Sequence, residues 1–465
     1  MNHGRGGMAS VDLFRRIPTD LTEATSLGAI MSMITLLLMA ILTVSELTAF
    51  LTTDISTEVS LDVNDAPTLR INFNVTFLSL HCDYVSVDVW DALGDNRQNI
   101  TKNVEKWQMD EEGKKRIFAG RNKEVREVKH EEHDATLEEM HENGVHAVVV
   151  NKASFDSFVT SSDYAFVNFY APWCIWCQRL HPTWEQFAEK VEEEKMPIKV
   201  GQVDCVENAA LCSAQKIQAF PTVRWFQDGQ GVLPDYKSDR TVSAFNSFAS
   251  RKLEANERYK DWEEKAKKSN NKKRPPPDPT KGRAEHPGCM VSGHINVNRV
   301  PGNFHIEAVS KNHNLNAAMT NLSHYVSTLS FGEPTLRDTR KARKVLGKIP
   351  DAHKNFSPMD GSSWVTKKFH AAHHHYLKIV STHFDSDITK YQYLEQSQEV
   401  KYEEEDVPEA RWSYDISPMA VTVKRKSRKS WYEFITSLFA IVGGTFTTLG
   451  LIDGVLYKAF KSKKL

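Results

Sequence analysis

The sequence has no excess of either charge and contains few cysteines. Its 465 residues include 59 lysines and arginines against 60 aspartates and glutamates. It therefore lacks the basic surplus of a protein that binds nucleic acid over its whole surface. Six cysteines are too few for a small scaffold held by disulfides, so any sulfur chemistry must be local. No internal repeat is evident, and the length indicates two or three domains rather than one core.

Two long uncharged apolar segments lie near the two ends, although the mean hydropathy of the chain is only -0.47. Residues 27–44 and 434–452 contain no charged side chain, and about 20 such residues cross the hydrocarbon core of a bilayer. A long polar segment precedes the first, and no clear small-residue cleavage site follows it, which favours a retained anchor over a cleaved signal peptide. We predict transmembrane helices at residues 27–51 and 434–457.

Basic residues around these segments predict the orientation. Arg15 and Arg16 precede the first segment and four lysines follow the second, which places both ends in the cytosol and the residues between them in the lumen. The basic run at residues 424–429 opposes this orientation, but the first helix usually dominates. All the glycosylation sequons lie between the two segments, at Asn74, Asn99, Asn321 and Asn355. The alternative is a middle region that faces the cytosol and acts as a reductase, and unmodified sequons would support it.

Composition divides the chain further. The predicted parts are a cytosolic segment (1–26), alternating strands (52–104), a charged linker (105–144), a βαβ region (145–257), a charged and proline-rich linker (258–287), a second β-rich part (288–433) and a basic cytosolic tail (458–465). Lys461 and Lys463 of this tail resemble the dilysine retrieval signal that the COPI coat reads. The alternative is a simple positively charged anchor.

Two cysteines lie three positions apart at the start of a predicted helix. The buried-strand pattern of residues 165–170 leads into Ala-Pro-Trp, Cys174 and Cys177, and apolar residues then recur at helical spacing. On the first turn of a helix, residues i and i+3 lie close enough to form a disulfide. The positive end of the helix dipole also favours the thiolate of the first cysteine. A lone pair suits half a zinc site, but no second pair stands at zinc-ribbon spacing.

Phe220 and Pro221 further along the chain precede a predicted strand. If the bond before Pro221 is cis, backbone beside the sulfurs is exposed for pairing with an extended substrate. Together with Phe-Tyr-Ala-Pro-Trp-Cys-x-x-Cys and Val-Asp, this Phe-Pro-Thr resembles the thioredoxin-fold domains of protein disulfide isomerases over residues 145–257. The resemblance implies an attacking thiolate at Cys174, a resolving thiol at Cys177, a cis-proline at Pro221, a tuning arginine at Arg240, and substrate contacts at Trp173, Phe220 and Pro221.

Several positions depart from that family. Ile175 and Trp176 stand where the usual isomerase has Gly-His between its cysteines, so the histidine that helps to stabilise the thiolate is missing. Asn168 and Gln202 stand where the family has a buried glutamate and its lysine partner. Because that glutamate is thought to relay a proton from the resolving thiol, its absence should slow release from mixed disulfides. We expect a weaker oxidant than a typical isomerase.

The flanks on both sides carry a second resemblance, to the Erv/ERGIC family of ER–Golgi vesicle proteins. The matching segments are 17–25, 45–47, 71–77, 288–289, 293–298, 301–305, 417–419 and 441–446. The resemblance implies a multidomain membrane protein in which an α/β thioredoxin-like domain is inserted in a mainly β lumenal Erv-type domain, with two transmembrane helices. Such a composite resembles the membrane-anchored protein disulfide isomerase-like proteins.

The remaining four cysteines are candidates for structural disulfides. In the frame of the second resemblance, Cys82 and Cys289 lie one in each half of the Erv-type domain and could pair across the insertion. The alternative is two unpaired buried cysteines. Cys205 and Cys212 are seven positions apart, and a structural disulfide there competes with two buried, small apolar side chains. A secondary exchange pair is a further alternative.

Five histidines fall in one short segment, at His370, His373, His374, His375 and His383. They could ligate a metal or form a face that responds to lumenal pH. Consecutive residues on a strand point to opposite faces, however, and no nearby cysteine or clear carboxylate completes a site. We predict a solvated strand or loop there, and neither a metal nor a cofactor in the protein.

These patterns predict a thiol–disulfide oxidoreductase or isomerase that acts on client proteins of the early secretory pathway through its C-x-x-C site. The predicted location is the membrane of the endoplasmic reticulum, the ER–Golgi intermediate compartment and the Golgi. The alternative is a cargo receptor whose thioredoxin-like domain mainly binds clients. The expected partners are client proteins with thiols or disulfides, the membrane, and COPI or COPII coat components, but no nucleic acid.

Overall fold

A computed structural model describes most of the chain. It covers residues 26–63, 66–94, 96–97, 103–109, 116–121, 127–132, 145–268, 278, 288–333, 346–347, 349–368, 370–384, 388–403 and 406–461. Contacts divide the chain into two units, one formed by Met1–Glu58 with Thr422–Leu465 and the other by Val59–Val421. Of the predicted sites, Asn99 and Lys463 lie outside the described residues.

The helices and strands are as follows. The helices are α1 (Ser26–Leu51), α2 (Phe155–Thr160), α3 (Ile175–Glu193), α4 (Ala209–Ala214), α5 (Val242–Lys268) and α6 (Trp431–Lys461). The first strands are β1 (Thr53–Leu61), β2 (Thr68–Phe77), β3 (Val85–Asp91), β4 (Asn96–Arg97), β5 (Val104–Met109), β6 (Arg116–Arg121), β7 (Val148–Val149), β8 (Tyr164–Tyr170), β9 (Lys199–Asp204) and β10 (Ala219–Phe220). The others are β11 (Thr222–Gln227), β12 (Gln230–Val232), β13 (Gly288–Asn298), β14 (Gly302–Ala308), β15 (Asn314–Leu315), β16 (His324–Phe331), β17 (Ser362–Trp364), β18 (Ala371–Phe384), β19 (Ile388–Lys401) and β20 (Glu409–Ser427).

Helices α1 and α6 of the first unit are the two predicted spans. Their apolar stretches, Ala29–Leu51 and Trp431–Leu456, are long and apolar enough to cross a membrane. They bury 6% and 0% of these stretches inside the protein, unlike the core helix of a soluble domain. The two helices contact each other, since the rings of Phe50 and Phe434 stack with centroids 4.6 Å apart. Lys429 donates a hydrogen bond to the carboxylate of Glu46 at the same end.

The larger unit contains a sandwich of two antiparallel sheets, which we call the sandwich domain. One sheet has the strand order β19-β18-β20-β14-β3-β4, with β1 paired to β20, and the other has the order β17-β16-β2-β13-β5-β6. Successive side chains of a strand point to opposite faces of the sheet. In β2, the alternate residues Leu69, Ile71 and Phe73 therefore point into the core. Phe73 stacks on Phe304 of the opposite sheet at 5.7 Å. The sandwich confirms the mainly β domain that the sequence predicts.

Both sheets combine strands from before and after the inserted domain. In the six-stranded sheet β13 lies between β2 and β5, and in the seven-stranded sheet β14 lies between β20 and β3. Strand β6 and all but the first residue of β5 fall within residues 105–144, where the sequence pattern predicts a charged linker. The difference has a physical reason: Val104, Lys106 and Met109 are buried, while Glu105, the other charged residue of β5, is only half-buried. Charge density alone hid this alternation.

The inserted domain, residues 145–268, has the thioredoxin-like architecture. Its sheet has the order β12-β11-β8-β9-β7, with β7 and β8 parallel to β9 and β11 antiparallel to β8. Aromatic side chains form one face of the core, where Phe166 of β8 contacts Trp184 of α3 and Trp225 of β11. The α/β insertion predicted from the C-x-x-C region is confirmed.

The histidine-rich segment differs from the solvated strand or loop that the sequence predicts. It forms β18, and His375 is fully buried while His374 is nearly so. Nε2 of His375 lies 3.1 Å from Nε2 of His324, and the ring of His375 stacks on Trp412 at 5.2 Å. Because His375 has the same parity as the buried Leu377, it faces the core. The aromatic rings of Trp364 and Trp412 contact His375 and allow this polar side chain to be buried.

Candidate active site

Cys174 and Cys177 lie where strand β8 passes into helix α3. Cys174 is the residue that caps the N-terminus of α3, and its Sγ accepts a hydrogen bond from the backbone N–H of Cys177 at 3.2 Å. Both cysteines are unpaired thiols and both are buried. The buried strand β8, whose Phe169 is inaccessible to solvent, fixes the position from which the helix starts. The helix N-terminus therefore faces the sulfur of Cys174.

The two thiols have opposite acid–base properties. A hydrogen bond from the Cys177 thiol lowers the pKa of Cys174, and backbone hydrogen bonds from Cys177, Trp176 and Asn314 lower it further, against the effect of burial. Burial raises the pKa of Cys177, and so does the neighbouring Cys174. Cys174 is thus the thiol that ionises first and can attack a disulfide, while Cys177 keeps its proton.

The proline loop packs against Cys174. The peptide bond between Phe220 and Pro221 is cis, and the carbonyl oxygen of Phe220 lies 3.5 Å from Sγ of Cys174, which donates to it. Trp173 meets the ring of Phe220 edge-on at 6.0 Å and is 56% exposed. The structure thus brings together the residues for which the sequence predicts substrate contacts and attack.

Arg240 is buried close enough to both cysteines for their charges to interact with its own. Burial lowers its pKa to about 10, while Cys177 and Cys174 oppose this effect. Its charge in turn lowers the pKa of Cys177, but by less than burial raises it. Its backbone N–H donates to the carbonyl of Lys129 at 2.7 Å, and its Nη2 donates to the backbone carbonyl of Asn312 at 2.7 Å. Both partners lie outside the inserted domain.

The unusual residues between the cysteines have different environments. Ile175 is exposed, whereas Trp176 stacks on His130 at 5.4 Å, and the guanidinium of Arg179 lies 5.1 Å from the Trp176 ring centre. Burial lowers the pKa of His130 to about 4, with help from Arg240 and Arg179. His130 is therefore neutral at neutral pH and does not supply the positive charge of the missing family histidine.

The two amides that replace the family's charged pair are both buried. Oδ1 of Asn168 has no hydrogen-bond partner among the described residues. Oε1 of Gln202 lies 3.0 Å from Nε2 of His181, and Nε2 of Gln202 donates to Oε1 of Glu185 at 3.2 Å. Glu185 is itself committed, because its other oxygen accepts the backbone N–H groups of His146 and Ala147. Its carboxylate thus stabilises the entry to β7.

One part of the site belongs to a region that no sequence pattern connects with Cys174 and Cys177. Residues 312–316 of the sandwich domain, which we call the occluding segment, run along the proline loop. Strand β15 in this segment pairs antiparallel with β10, with Asn314 opposite Phe220 and Leu315 opposite Ala219. The segment carries no motif, and nothing in the sequence order marks it, because its role depends on a contact between domains.

The other four cysteines form two disulfides. Cys82 is bonded to Cys289 across 207 positions, and Cys205 to Cys212 across seven. The first joins the two halves of the sandwich domain. The second lies in the core of the inserted domain.

A buried polar group of possible metal ligands also lies on the sandwich domain. Ligand atoms of Asp88, His305 and Glu307 lie within 4.8 Å of one another, and the sequence pattern did not single them out. Burial, followed by a hydrogen bond with Asp88, raises the pKa of Glu307 to about 8. A proton held between two carboxyl groups therefore accounts for their closeness. Among the described residues, the histidines of β18 form no such group.

Comparison with known proteins agrees with this composite architecture. Family models match residues 8–98 (Endoplasmic Reticulum-Golgi Intermediate Compartment), 146–251 (thioredoxin) and 256–453 (endoplasmic reticulum vesicle transporter). Protein disulfide-isomerase 5-4 of Arabidopsis thaliana is 32% identical over 480 residues, which cover 98% of this chain and 97% of the relative. Protein disulfide isomerase-like 5-4 of Oryza sativa subsp. japonica is 32% identical over 493 residues, with the same two shares.

Among solved structures, the crystal structure of Erv41p matches 79% of this chain and 99% of its own, at 12% identity and a TM-score of 0.35. The alignment with the Arabidopsis relative covers 98% of this chain, in which the thioredoxin part lies between the other two matched parts. The chain belongs to the family of protein disulfide isomerase-like proteins that carry a thioredoxin domain inserted in an Erv/ERGIC-type protein.

Proposed function

We propose that this protein is a thiol–disulfide oxidoreductase that acts on client proteins through Cys174 and Cys177. The observation that carries the proposal is the contrast between the two thiols. Hydrogen bonds lower the pKa of Cys174 at the start of α3, whereas burial raises that of Cys177. This contrast suits one cysteine for attack and the other for resolution.

The exchange conserves two electrons. The Cys174 thiolate attacks one sulfur of a client disulfide, a bond forms between Cys174 and that sulfur, and the other client sulfur leaves as a thiolate. Cys177 then loses its proton and attacks Sγ of Cys174, which closes the Cys174–Cys177 disulfide and releases the reduced client. Run in reverse, the same steps oxidise a client dithiol. Arg240 would favour the ionisation of Cys177 that this second attack requires, because its charge lowers the pKa of that thiol.

We expect the release step to be slow. Asn168 and Gln202 cannot take up the Cys177 proton, and Glu185 already accepts two backbone N–H groups and the Gln202 amide. The protein would thus oxidise reduced clients less efficiently than an isomerase with the glutamate–lysine pair. Equal rates of oxidation of the same reduced substrate would contradict this expectation. In the variant Asn168→Glu/Gln202→Lys, release should be faster.

The proposed location is the membrane of the early secretory pathway, with the sandwich and inserted domains in the lumen. The matches to the intermediate-compartment and vesicle-transporter families, together with α1 and α6, support this location. An oxidising lumen is also where disulfides such as Cys82–Cys289 persist. Contacts with COPI or COPII through the cytosolic ends remain part of the proposal.

A covalent trap separates the exchange enzyme from the alternative of a cargo receptor, which the complete burial of Cys174 favours. The purified full-length Cys177→Ala variant in detergent is mixed with an unfolded peptide that carries a single disulfide to glutathione. We expect an adduct on a non-reducing gel, joined through Cys174, because resolution is blocked. The matched control is Cys174→Ala/Cys177→Ala, which should form none. Peptide bound without any covalent adduct in Cys177→Ala would instead support the receptor.

A further inference from the structure

The edge beside the cis-proline is already paired. A strand at this edge has free backbone groups with which an extended client can hydrogen-bond. In this chain β15 takes that place: Phe220 lies opposite Asn314, Ala219 lies opposite Leu315, and the N–H of Asn316 donates to the carbonyl of Gln218 at 2.9 Å. The occluding segment therefore uses the hydrogen-bonding positions that an incoming client strand would need.

The same segment closes over the attacking sulfur. The backbone of Asn314 helps to lower the pKa of Cys174, whose side chain is 0% exposed. The residues around the sulfur remain open, since Trp173 and Ile175 are both more than half exposed. The nucleophile is therefore inaccessible although the apolar residues beside it are exposed.

Two contacts hold the occluding segment at its N-terminal end. Nη2 of Arg240 donates to the carbonyl of Asn312 at 2.7 Å, and the backbone N–H of Val128 donates to Oδ1 of Asn312 at 3.0 Å. The stretch that contains Val128 continues to His130, which stacks on Trp176 beside the cysteines. The stretch that contains Val128 and the occluding segment thus meet at the site. The hydrogen bonds of Asn312 hold this arrangement, one from Val128 and one from Arg240.

We infer that the occluding segment is an internal occupant of the client-binding edge, and that a client reaches Cys174 only after this segment has left it. This inference rests on the proposed function. The client that fits is an extended, unfolded polypeptide, because it must replace a strand. Its reactive sulfur would take the position of Asn314, which lies opposite Phe220, the residue whose carbonyl oxygen is 3.5 Å from the Cys174 sulfur. A folded client with its cysteine in a rigid core could not form this pairing.

The reactivity of Cys174 in the full-length protein tests the inference without requiring catalysis. The reduced protein in detergent is treated with iodoacetamide, and the modification of Cys174 is followed by mass spectrometry. The variant Asn314→Pro lacks the backbone N–H of this position and cannot keep the strand pairing with Phe220. We expect its rate to exceed that of the wild type by about tenfold or more, because the observed rate scales with the fraction of open molecules.

Asn314→Ala is the matched variant, since it removes the side chain but keeps the backbone N–H, and it should stay protected. A synthetic peptide with the sequence of residues 309–319, added to Asn314→Pro, should slow the modification again, whereas a scrambled peptide should not. The peptide result, together with an unchanged unfolding midpoint, separates an opened edge from a misfolded domain. Equal rates in the wild type, Asn314→Pro and a small thiol compound would overturn the inference.

The outcomes of this test and of the covalent trap are distinguishable when the trap is repeated with the edge open. If Asn314→Pro exposes Cys174 but no client adduct forms even in Asn314→Pro/Cys177→Ala, the proposed function fails while the occluded edge stands. If adducts form and Cys174 already reacts in the wild type at the rate of a free thiol, the occluded edge fails while the enzyme stands. If the scrambled peptide protects Cys174 as well as the peptide of residues 309–319 does, the protection does not come from a specific strand pairing. That result would also count against the inference.

Discussion

The guanidinium of Arg240, just before helix α5 of the inserted domain, donates a 2.7 Å hydrogen bond to the backbone carbonyl of Asn312 in the sandwich domain. Both residues are buried, with 4% and 3% of their surface exposed. A buried charge–carbonyl contact of this kind is costly to break, because it leaves both groups without compensation. The arginine that faces the cysteines is therefore also the residue that holds the occluding segment.

We predict that Arg240→Ala destabilises the protein by roughly 1–3 kcal/mol and increases the modification rate of Cys174. Loss of the guanidinium leaves the Asn312 carbonyl unpaired and frees one end of the occluding segment. Thermal unfolding and mass-spectrometric footprinting of the full chain measure the two effects. Arg251→Ala, which removes an exposed arginine from helix α5 of the same domain, is the control and should change neither. Identical results for both variants would show that Arg240 does not hold the segment.

We predict that the Cys174 thiolate forms below the usual pH range of a cysteine, and that Cys177 is the main reason. The thiol of Cys177 makes the largest contribution to lowering the pKa of Cys174, so Cys177→Ala should shift the thiolate titration to higher pH. Cys177→Ser keeps a hydrogen-bond donor and should shift it less. Thiolate ultraviolet absorbance of the full chain, with Cys174→Ala as the blank, measures the midpoint. A larger shift in the serine variant than in the alanine variant would contradict the assignment.

We predict that the long disulfide stabilises the fold more than the short one. In the chain-entropy model, the 207-residue separation of Cys82 and Cys289 corresponds to about 5 kcal/mol and the seven-residue separation of Cys205 and Cys212 to about 2 kcal/mol. The paired alanine variants of each bridge are compared by thermal unfolding of the detergent-solubilised chain. An equal or larger loss in the Cys205→Ala/Cys212→Ala variant would refute the ranking.

We predict that the buried pair His324 and His375 makes the sandwich domain sensitive to acid. Burial lowers their pKa values to about 4 and about 2, whereas unfolded histidines titrate near 6.5. The unfolded state therefore takes up protons first as the pH falls. The stability that these histidines contribute is complete above about pH 6.5 and is lost between there and their folded pKa values.

Between pH 7 and 5 the loss should reach roughly 2–4 kcal/mol. Tryptophan fluorescence during unfolding measures it, and the variant His324→Phe/His375→Met should lose less over the same interval. His383 lies in β18, the strand of His375, but is only half-buried. The variant His383→Gln is therefore the control and should follow the wild type. A double variant with an unchanged pH dependence would assign the acid sensitivity to other groups.

We predict that Asn355 carries a glycan when the protein is made in a secretory cell. Asn355 is exposed, whereas Asn74 lies in the interior strand β2, and its Oδ1 is buried. A mobility shift that endoglycosidase removes, and that Asn355→Gln abolishes but Asn74→Gln leaves, would place the sandwich domain in the lumen. If the protein shows no mobility shift, so that no sequon carries a glycan, the alternative of a cytosolic reductase is favoured.

Sequence patterns identified the parts of this protein whose signal is local. The spans follow from two uncharged apolar stretches, and the inserted domain follows from the strand–cysteine–helix order around Cys174 and the later Phe220–Pro221. The strands β5 and β6 were hidden because charged residues surround them in the sequence. The burial of His375 was hidden for the opposite reason, since neighbouring aromatic rings from distant strands provide its environment.

The sequence by itself determined the architecture, the two spans and the reactive cysteine pair, because these depend on residues adjacent along the chain. Only the tertiary structure decided that Cys174 is covered. That property depends on Asn314 lying opposite Phe220 and on Arg240 reaching Asn312, which are contacts between domains far apart in sequence. Backbone hydrogen bonds form most of this contact, and because every residue carries a backbone, no side-chain pattern announces it.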